Sequence, residues 1–231
     1  MIKAVFFDLY NTLVRFEPPP ESLQAQACRE FGLRAEPENL CRAFSVASEF
    51  LIRENARLPI SKRSQAQQDK FWVNYELTLL RAAGVEATPE LAARILKRVR
   101  GSESRLVFYE DAPPILRLLR QQGLRLGLIS NLDCTLEEFC QGLEVSNFFD
   151  FVLISYEVGI EKPHPEIFQL ALRLAQAKPG EALHVGDQYL ADVVGARRAG
   201  IKPLLLDREG LLENHHDCER IRSLSEVIRQ L

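Results

Sequence analysis

The sequence predicts an α/β protein: a parallel sheet with helices on both faces, interrupted near its start by an all-helical insertion. Two observations carry this. Apolar, β-rich segments alternate with helical patterns along the C-terminal half, and about a hundred residues of almost purely helical pattern separate the first such segment from the next. The β segments are residues 2–9, 124–130, 151–155, 182–186 and 202–206, rich in Val, Ile, Leu and Phe as buried parallel strands are. Strand–helix–strand alternation with right-handed crossovers puts all strand C-termini on one edge of the sheet.

The elements follow in order. Residues 2–9 form the first strand, with Asp8 at its C-terminal lip. Residues 17–105 form the insertion, with helices expected over 22–31, 37–51, 64–83 and 89–100, and with the breakers Pro18-Pro19-Pro20 and Gly101-Ser102 bracketing it. Placed directly after the Asp8 loop, it is a candidate lid over the strand ends. The core then comprises residues 1–16 and 106–231. A helix is expected over 115–122, after Asp111-Ala-Pro-Pro. Asn131 and Asp133 suit the start of a helix over 132–142, Pro165 opens one over 165–176, and Gly200 closes one over 189–199.

Composition narrows the function classes. The chain has 231 residues, 46% of them hydrophobic and 26% charged, with a net charge of −3, which gives no electrostatic case for nucleic acid. The cluster Arg94, Lys97, Arg98 and Arg100 reads as a solvated helix face. Five cysteines without a C-x-x-C pair read as thiols of a reducing compartment. With no signal peptide and no apolar stretch long enough for a span, the expectation is a cytoplasmic protein that acts on a small molecule. His164 and His184 read as structural, and His215 and His216 as solvated loop.

The chemistry follows the strand ends: Asp8, Tyr10 and Thr12 after the first, Ser130-Asn131 after the second, Lys162-Pro163 before a later helix, and Gly186-Asp187 with Asp192 after the fourth. Each alone is a common cap or turn. All of them in order at one sheet edge make a site for attack on a phosphoryl group. Asp8 is a carboxylate nucleophile. Asp8 and Asp187, with the Tyr10 carbonyl, suit Mg²⁺, and Asp192 binds a metal water or orients its loop. Lys162 is a mobile point charge for Asp8 and phosphate. Thr12, Ser130 and the amides near Asn131 take phosphate oxygens.

FFDLYNTL, LISN, EKPHPEIF and HVGDQYLADVVGARRAG resemble, in that order, the motifs of the haloacid dehalogenase superfamily. The resemblance spans residues 1–15 and about 106–207, and the insertion is similar to the family's helical cap. It implies a Rossmann-like core with the first strand central. It also implies Asp8 as nucleophile, with Thr12, Ser130, Lys162, Asp187 and Asp192 in the roles above.

One position departs from the family's phosphatase pattern. Its phosphatases usually carry a second aspartate two residues after the nucleophile, as general acid and then base; here that residue is Tyr10. Tyrosine, with a pKa near 10, is a poor base for hydrolysis. It is instead typical of the 2-haloacid dehalogenase branch, D-x-Y-G-T, whose glycine is replaced here by Asn11. In that branch a cap arginine receives the substrate, and Arg42 is similarly placed; Trp72 is a second candidate contact. The Gly186-Asp187 loop with Asp192 resembles the metal-binding phosphatase form instead. The favoured expectation is a Mg²⁺-dependent phosphatase of a small phosphorylated metabolite. The alternatives are a 2-haloacid dehalogenase and a weak family member that binds a ligand or partner.

Overall fold

The computed structural model describes residues 1–212 and 216–231. His215 lies outside them, and His216 is exposed. The chain divides into two compact units, one formed by Met1–Arg15 with Leu106–Leu231 and the other by Phe16–Arg105.

The first unit is built on six parallel strands in the order β5-β4-β1-β6-β7-β8, namely β1 Ala4–Phe7, β4 Arg125–Ser130, β5 Phe151–Ile154, β6 Ala182–Gly186, β7 Lys202–Leu206 and β8 Glu219–Ile221. Strand β1 pairs with β4 on one side and β6 on the other, so Phe7 lies opposite Leu128 and Val185. All four β1 residues are fully buried, and their alternation feeds two cores. Val5 and Phe7 join α5 (Ala112–Gln121) and the C-terminal turn through Ile115, Leu116, Leu119, Leu224 and Val227. Ala4 and Phe6 join α8 (Pro165–Ala175) and α9 (Gly195–Arg198) through Ile167, Phe168, Ala171 and Ala196. Full burial of one such phenylalanine contributes ~1.5–3 kcal/mol.

Two expected helices differ. The segment after β4 turns helical only at α6, Leu136–Cys140, because Thr135 and Glu138 make a reciprocal cap there, while the Leu132 N–H donates to the Ser155 hydroxyl. The segment after β6 runs as a π-helix over Tyr189–Val194 before α9. A separate two-stranded sheet pairs β2 (Val14–Glu17) with β3 (Arg105–Phe108), and a short α7 (Ser155–Val158) follows β5.

The second unit packs α1 (Pro20–Glu30), α2 (Pro37–Arg57), α3 (Gln65–Ala82) and α4 (Pro89–Arg100) around Cys28, Leu40, Ala43, Ala47, Leu79, Leu80 and Ile95. The basic face of α4 is partly engaged: Arg98 pairs with Glu30, and Arg94 and Arg100 lie over the rings of Phe31 and Trp72. One acid in this core is out of place. Glu76 is buried on α3 with the Gln24 amide donating to it, and burial pushes its pKa up to about 7 against an opposing pull from Gln24 and Arg100. Between the ordinary value of 4.5 and about 7, the folded chain keeps a proton that the unfolded chain releases, so stability falls as pH rises through that window. Glu76→Gln should remove this slope and stabilise the protein at pH 8 by about 3 kcal/mol at most. Urea melts of both proteins at pH 5 and 8 check it; parallel curves at both pH values refute it.

Candidate active site

Asp8 follows β1 directly, and its N–H donates to the Val185 carbonyl at 2.9 Å, which holds it beside the end of β6. Ser130 ends β4, and Asp187 is the first residue past β6. The sheet register therefore brings three strand ends together. Carboxylate oxygens of Asp8, Asp187 and Asp192 lie within 4.8 Å of one another.

Lys162 enters from the loop before α8, following which the Lys162–Pro163 peptide is cis. Its buried ammonium donates to Asp8 Oδ1 and to Asp192 Oδ1, at 2.6 Å each. Asn131 fixes the backbone of this lysine: its side-chain amide donates to the Lys162 carbonyl and accepts from the Lys162 N–H, both at 2.8 Å. The sequence expectation for Asn131 is a helix start whose amides take phosphate oxygens. The helix starts later, and the amide is used on Lys162.

One ammonium faces three carboxylates, and their environments divide them. Burial works against ionisation of Asp192, yet Lys162 and His184 together hold it well below the usual carboxylate range, and its Oδ2 accepts from the Gln188 N–H at 3.0 Å. Burial outweighs Lys162 at Asp8 and, with the Asp192 charge, pushes its pKa up to about 6. At Asp187 burial and the charges of Asp8 and Asp192 raise it well above the ordinary value. Lys162 itself is held above its usual value by its two anions, in spite of burial.

Asp187 Oδ1 is buried and has no hydrogen-bond partner among the described residues. An unpartnered buried carboxylate oxygen is costly. A hard dication that takes oxygen ligands removes that cost and the repulsion together, so the donor set fits Mg²⁺. Asp8 and Asp187 are the carboxylates with capacity to spare, whereas both Asp192 oxygens are engaged, which favours its loop-orienting role.

Small residues make room for this arrangement. A Cβ on Gly186 would fall 2.2 Å from the Asp192 carboxyl, and one on Gly195 would meet Phe168 at 2.6 Å and the Pro163 Cα at 3.0 Å. Asn11 has a φ of 60°, the left-handed region that asparagine tolerates better than most residues, which accounts for its standing where the dehalogenase pattern has glycine.

The remaining expected residues are spread out. Tyr10 sets its ring edge-to-face on Phe139. Thr12 is fully buried, and its hydroxyl has no partner among the described residues. Arg42 and Trp72 belong to the helical unit: Arg42 is exposed on α2, and Trp72 packs with Phe71, Tyr75 and Arg100. His164 is exposed. His184 is more than a packing residue. Burial keeps it neutral, and its Nε2 donates to Asp192 Oδ1 at 2.9 Å. A histidine in the middle of a wholly buried strand was the available signal, since it must find a partner.

Comparison with known proteins agrees with this geometry. The family model for haloacid dehalogenase-like hydrolases matches residues 2–200, and the chain belongs to that family of hydrolases. It is 35% identical over 208 residues to human haloacid dehalogenase-like hydrolase domain-containing protein 3, covering 89% of this chain and 82% of that one. It is 33% identical over 242 residues to the glyceraldehyde 3-phosphate phosphatase of Methanopyrus kandleri, covering 100% and 99%. Among solved structures, the 2-haloacid dehalogenase of Pseudomonas syringae superposes with a TM-score of 0.58 at 24% identity, over 99% of this chain and 97% of that one, a likeness of fold.

Proposed function

We infer that this hydrolase is a Mg²⁺-dependent phosphatase of a small phosphorylated metabolite, acting in the cytoplasm through a covalent aspartyl phosphate on Asp8. The observation that carries the reading is a buried Asp187 oxygen, without a hydrogen-bond partner among the described residues, in the three-carboxylate cluster of Asp8, Asp187 and Asp192. Displacement of halide from carbon has no use for such a cluster, and phosphoryl transfer has. The full-length likeness to a glyceraldehyde 3-phosphate phosphatase supports the same substrate class.

In the forward step an Asp8 oxygen attacks phosphorus, the bond from phosphorus to the leaving oxygen breaks, and the alkoxide takes a proton from solvent water. Water then attacks the phosphorus of the aspartyl phosphate, releasing inorganic phosphate and restoring Asp8. Lys162 neutralises Asp8 as the anionic substrate arrives, and the Ser130 and Thr12 hydroxyls are the proposed phosphate donors. Mg²⁺ on Asp8, Asp187 and the Tyr10 carbonyl would offset the negative charge that gathers during transfer. Arg42 and Trp72 are the proposed contacts of the helical unit.

Phosphate release from p-nitrophenyl phosphate, run beside chloride release from 2-chloropropionate, with Mg²⁺ or with EDTA, tests this. Mg²⁺-dependent phosphate release is the expected result. Chloride release that survives EDTA would replace it with the dehalogenase reading that Tyr10 favours, and silence on both would favour a binding role.

Tyr10 sets a further expectation. General acid–base help is commonly worth about 10²–10⁴-fold. The wild type should therefore be slow on alkyl phosphates and less impaired on aryl phosphates, whose leaving groups need no proton. Tyr10→Asp should raise kcat/KM on an alkyl phosphate about tenfold more than on p-nitrophenyl phosphate. Equal effects on both substrates refute the missing-acid argument.

A further inference from the structure

The loop after Asp8 is held from outside by groups distant in sequence. The Thr12 carbonyl accepts from Arg208 Nη2 at 2.8 Å, and the Leu13 carbonyl accepts from the Tyr109 N–H at 2.9 Å. The Arg208 guanidinium lies 3.8 Å from the centre of the Tyr109 ring, so both holds belong to one stacked pair. Asp111 fixes the guanidinium as a fork, accepting at 3.0 Å from Nη1 and 2.9 Å from Nη2. The same carboxylate accepts from the Ser223 hydroxyl and the Leu224 N–H, at 2.9 Å each. Arg208 is itself on a braced turn, since the neighbouring Asp207 carboxylate accepts from the Leu211 and Leu212 N–H groups.

We propose that Arg208 is a positioning residue for catalysis, which fixes the loop bearing Asp8 by clamping the Thr12 carbonyl onto Asp111 and Tyr109. The role rests on the phosphatase reading only for the reaction it serves. A planar guanidinium suits it: one face stacks on the ring while two nitrogens serve a carboxylate and one of them also reaches the carbonyl, a combination that lysine lacks. The loop needs an external hold because it turns sharply through Asn11 at a positive φ and closes on itself with the Leu13 and Val14 N–H groups on the single Leu9 carbonyl. A staple that merely pins the C-terminal segment would need Asp111, Ser223 and Leu224, and would have no use for the Thr12 bond.

The test compares Arg208→Met, Arg208→Lys and Ser223→Ala. Ser223→Ala loosens the same junction on the far side of Asp111 and leaves the bond to Thr12 in place. With p-nitrophenyl phosphate and Mg²⁺, below the melting temperature of every variant, Arg208→Met should lose about tenfold or more in kcat with KM within about threefold, since misplacement of reacting groups falls on the chemical step. Arg208→Lys should fall between it and the wild type, and Ser223→Ala should turn over normally even if its Tm drops. Hydrogen exchange supplies the second readout: the amides of residues 11–14 should exchange faster in Arg208→Met and unchanged in Ser223→Ala. Wild-type kcat in Arg208→Met, an equal kcat loss in Ser223→Ala, or unaltered exchange in Arg208→Met would each overturn the clamp. If Arg208→Met does not fold, Arg208→Lys carries the same comparison. The exchange readout judges the clamp even if the wild type releases no phosphate, an outcome that instead sinks the phosphatase reading.

Discussion

Replacing Asp8 by asparagine is expected to end turnover and, in the metal-free protein, to raise stability. The loss of activity follows from the role: the amide cannot attack phosphorus, and removal of a nucleophile costs on the order of 10⁴-fold or more. The gain in stability follows from the charges. Asp8 is buried beside Asp187 and Asp192, with one ammonium among the three, and its pKa is pushed up to about 6 from 3.8. Between those values the unfolded chain gives up a proton that the folded chain retains, so the metal-free wild type loses stability as pH rises through that window. The asparagine variant lacks that loss, keeps an oxygen for the Lys162 ammonium, and should unfold later by up to about 3 kcal/mol at pH 8 in EDTA. Mg²⁺ should then narrow the gap, because it stabilises the wild-type carboxylates most. Phosphate release and thermal melts at pH 5 and 8, with EDTA or Mg²⁺, read all of this together. Retained turnover would remove Asp8 from its role, and a less stable variant at pH 8 in EDTA would mean that Lys162 outweighs burial at this carboxyl.

How far the sequence reaches depends on how local each signal is. Residues 182–186 and 202–206 are strands in the structure as expected, because a run of buried β-formers bounded by breakers leaves the backbone little choice. The parallel sheet and the family were legible for the same reason: polar residues after successive strands share an edge whatever the tertiary detail. Boundaries set by competition were not legible. Asn131 looks like a helix cap until its amide is seen on the Lys162 backbone, thirty-one residues away, and the cap passes to Thr135. The π-helix that contains Asp192 leaves no periodic trace over six residues. Long-range polar partnerships were least legible. The link from Thr12 through Arg208 to Asp111 and Ser223 joins four distant segments, and no spacing rule connects them. Within the helical unit the Gln24–Glu76 pair is equally hidden, since on α3 Glu76 reads as one more surface acid.

Removing the cation of the cluster should act in the opposite direction from removing its anion. Lys162→Met keeps the buried length of the side chain and deletes the ammonium that touches Asp8 and Asp192 at 2.6 Å each. Breaking a buried ion pair by taking away one partner commonly costs about 3–5 kcal/mol, because the other charge stays buried without compensation. Here two carboxylates would be left, with Asp187 beside them. The loss should therefore be largest where those carboxylates are forced to ionise: severe at pH 8 in EDTA, smaller at pH 5 where Asp8 takes up a proton, and partly reversed by Mg²⁺. Activity should fall about 10²-fold or more even where the protein is folded, because a preorganised charge aimed at the transferring group is lost. The double variant Asp8→Asn with Lys162→Met separates the two causes. It should regain part of the stability at pH 8 and none of the turnover. Urea unfolding at the two pH values decides the matter: a Lys162→Met penalty that is equal at pH 5 and 8 would mean that the lysine acts through packing, and the electrostatic account of the site would have to be given up.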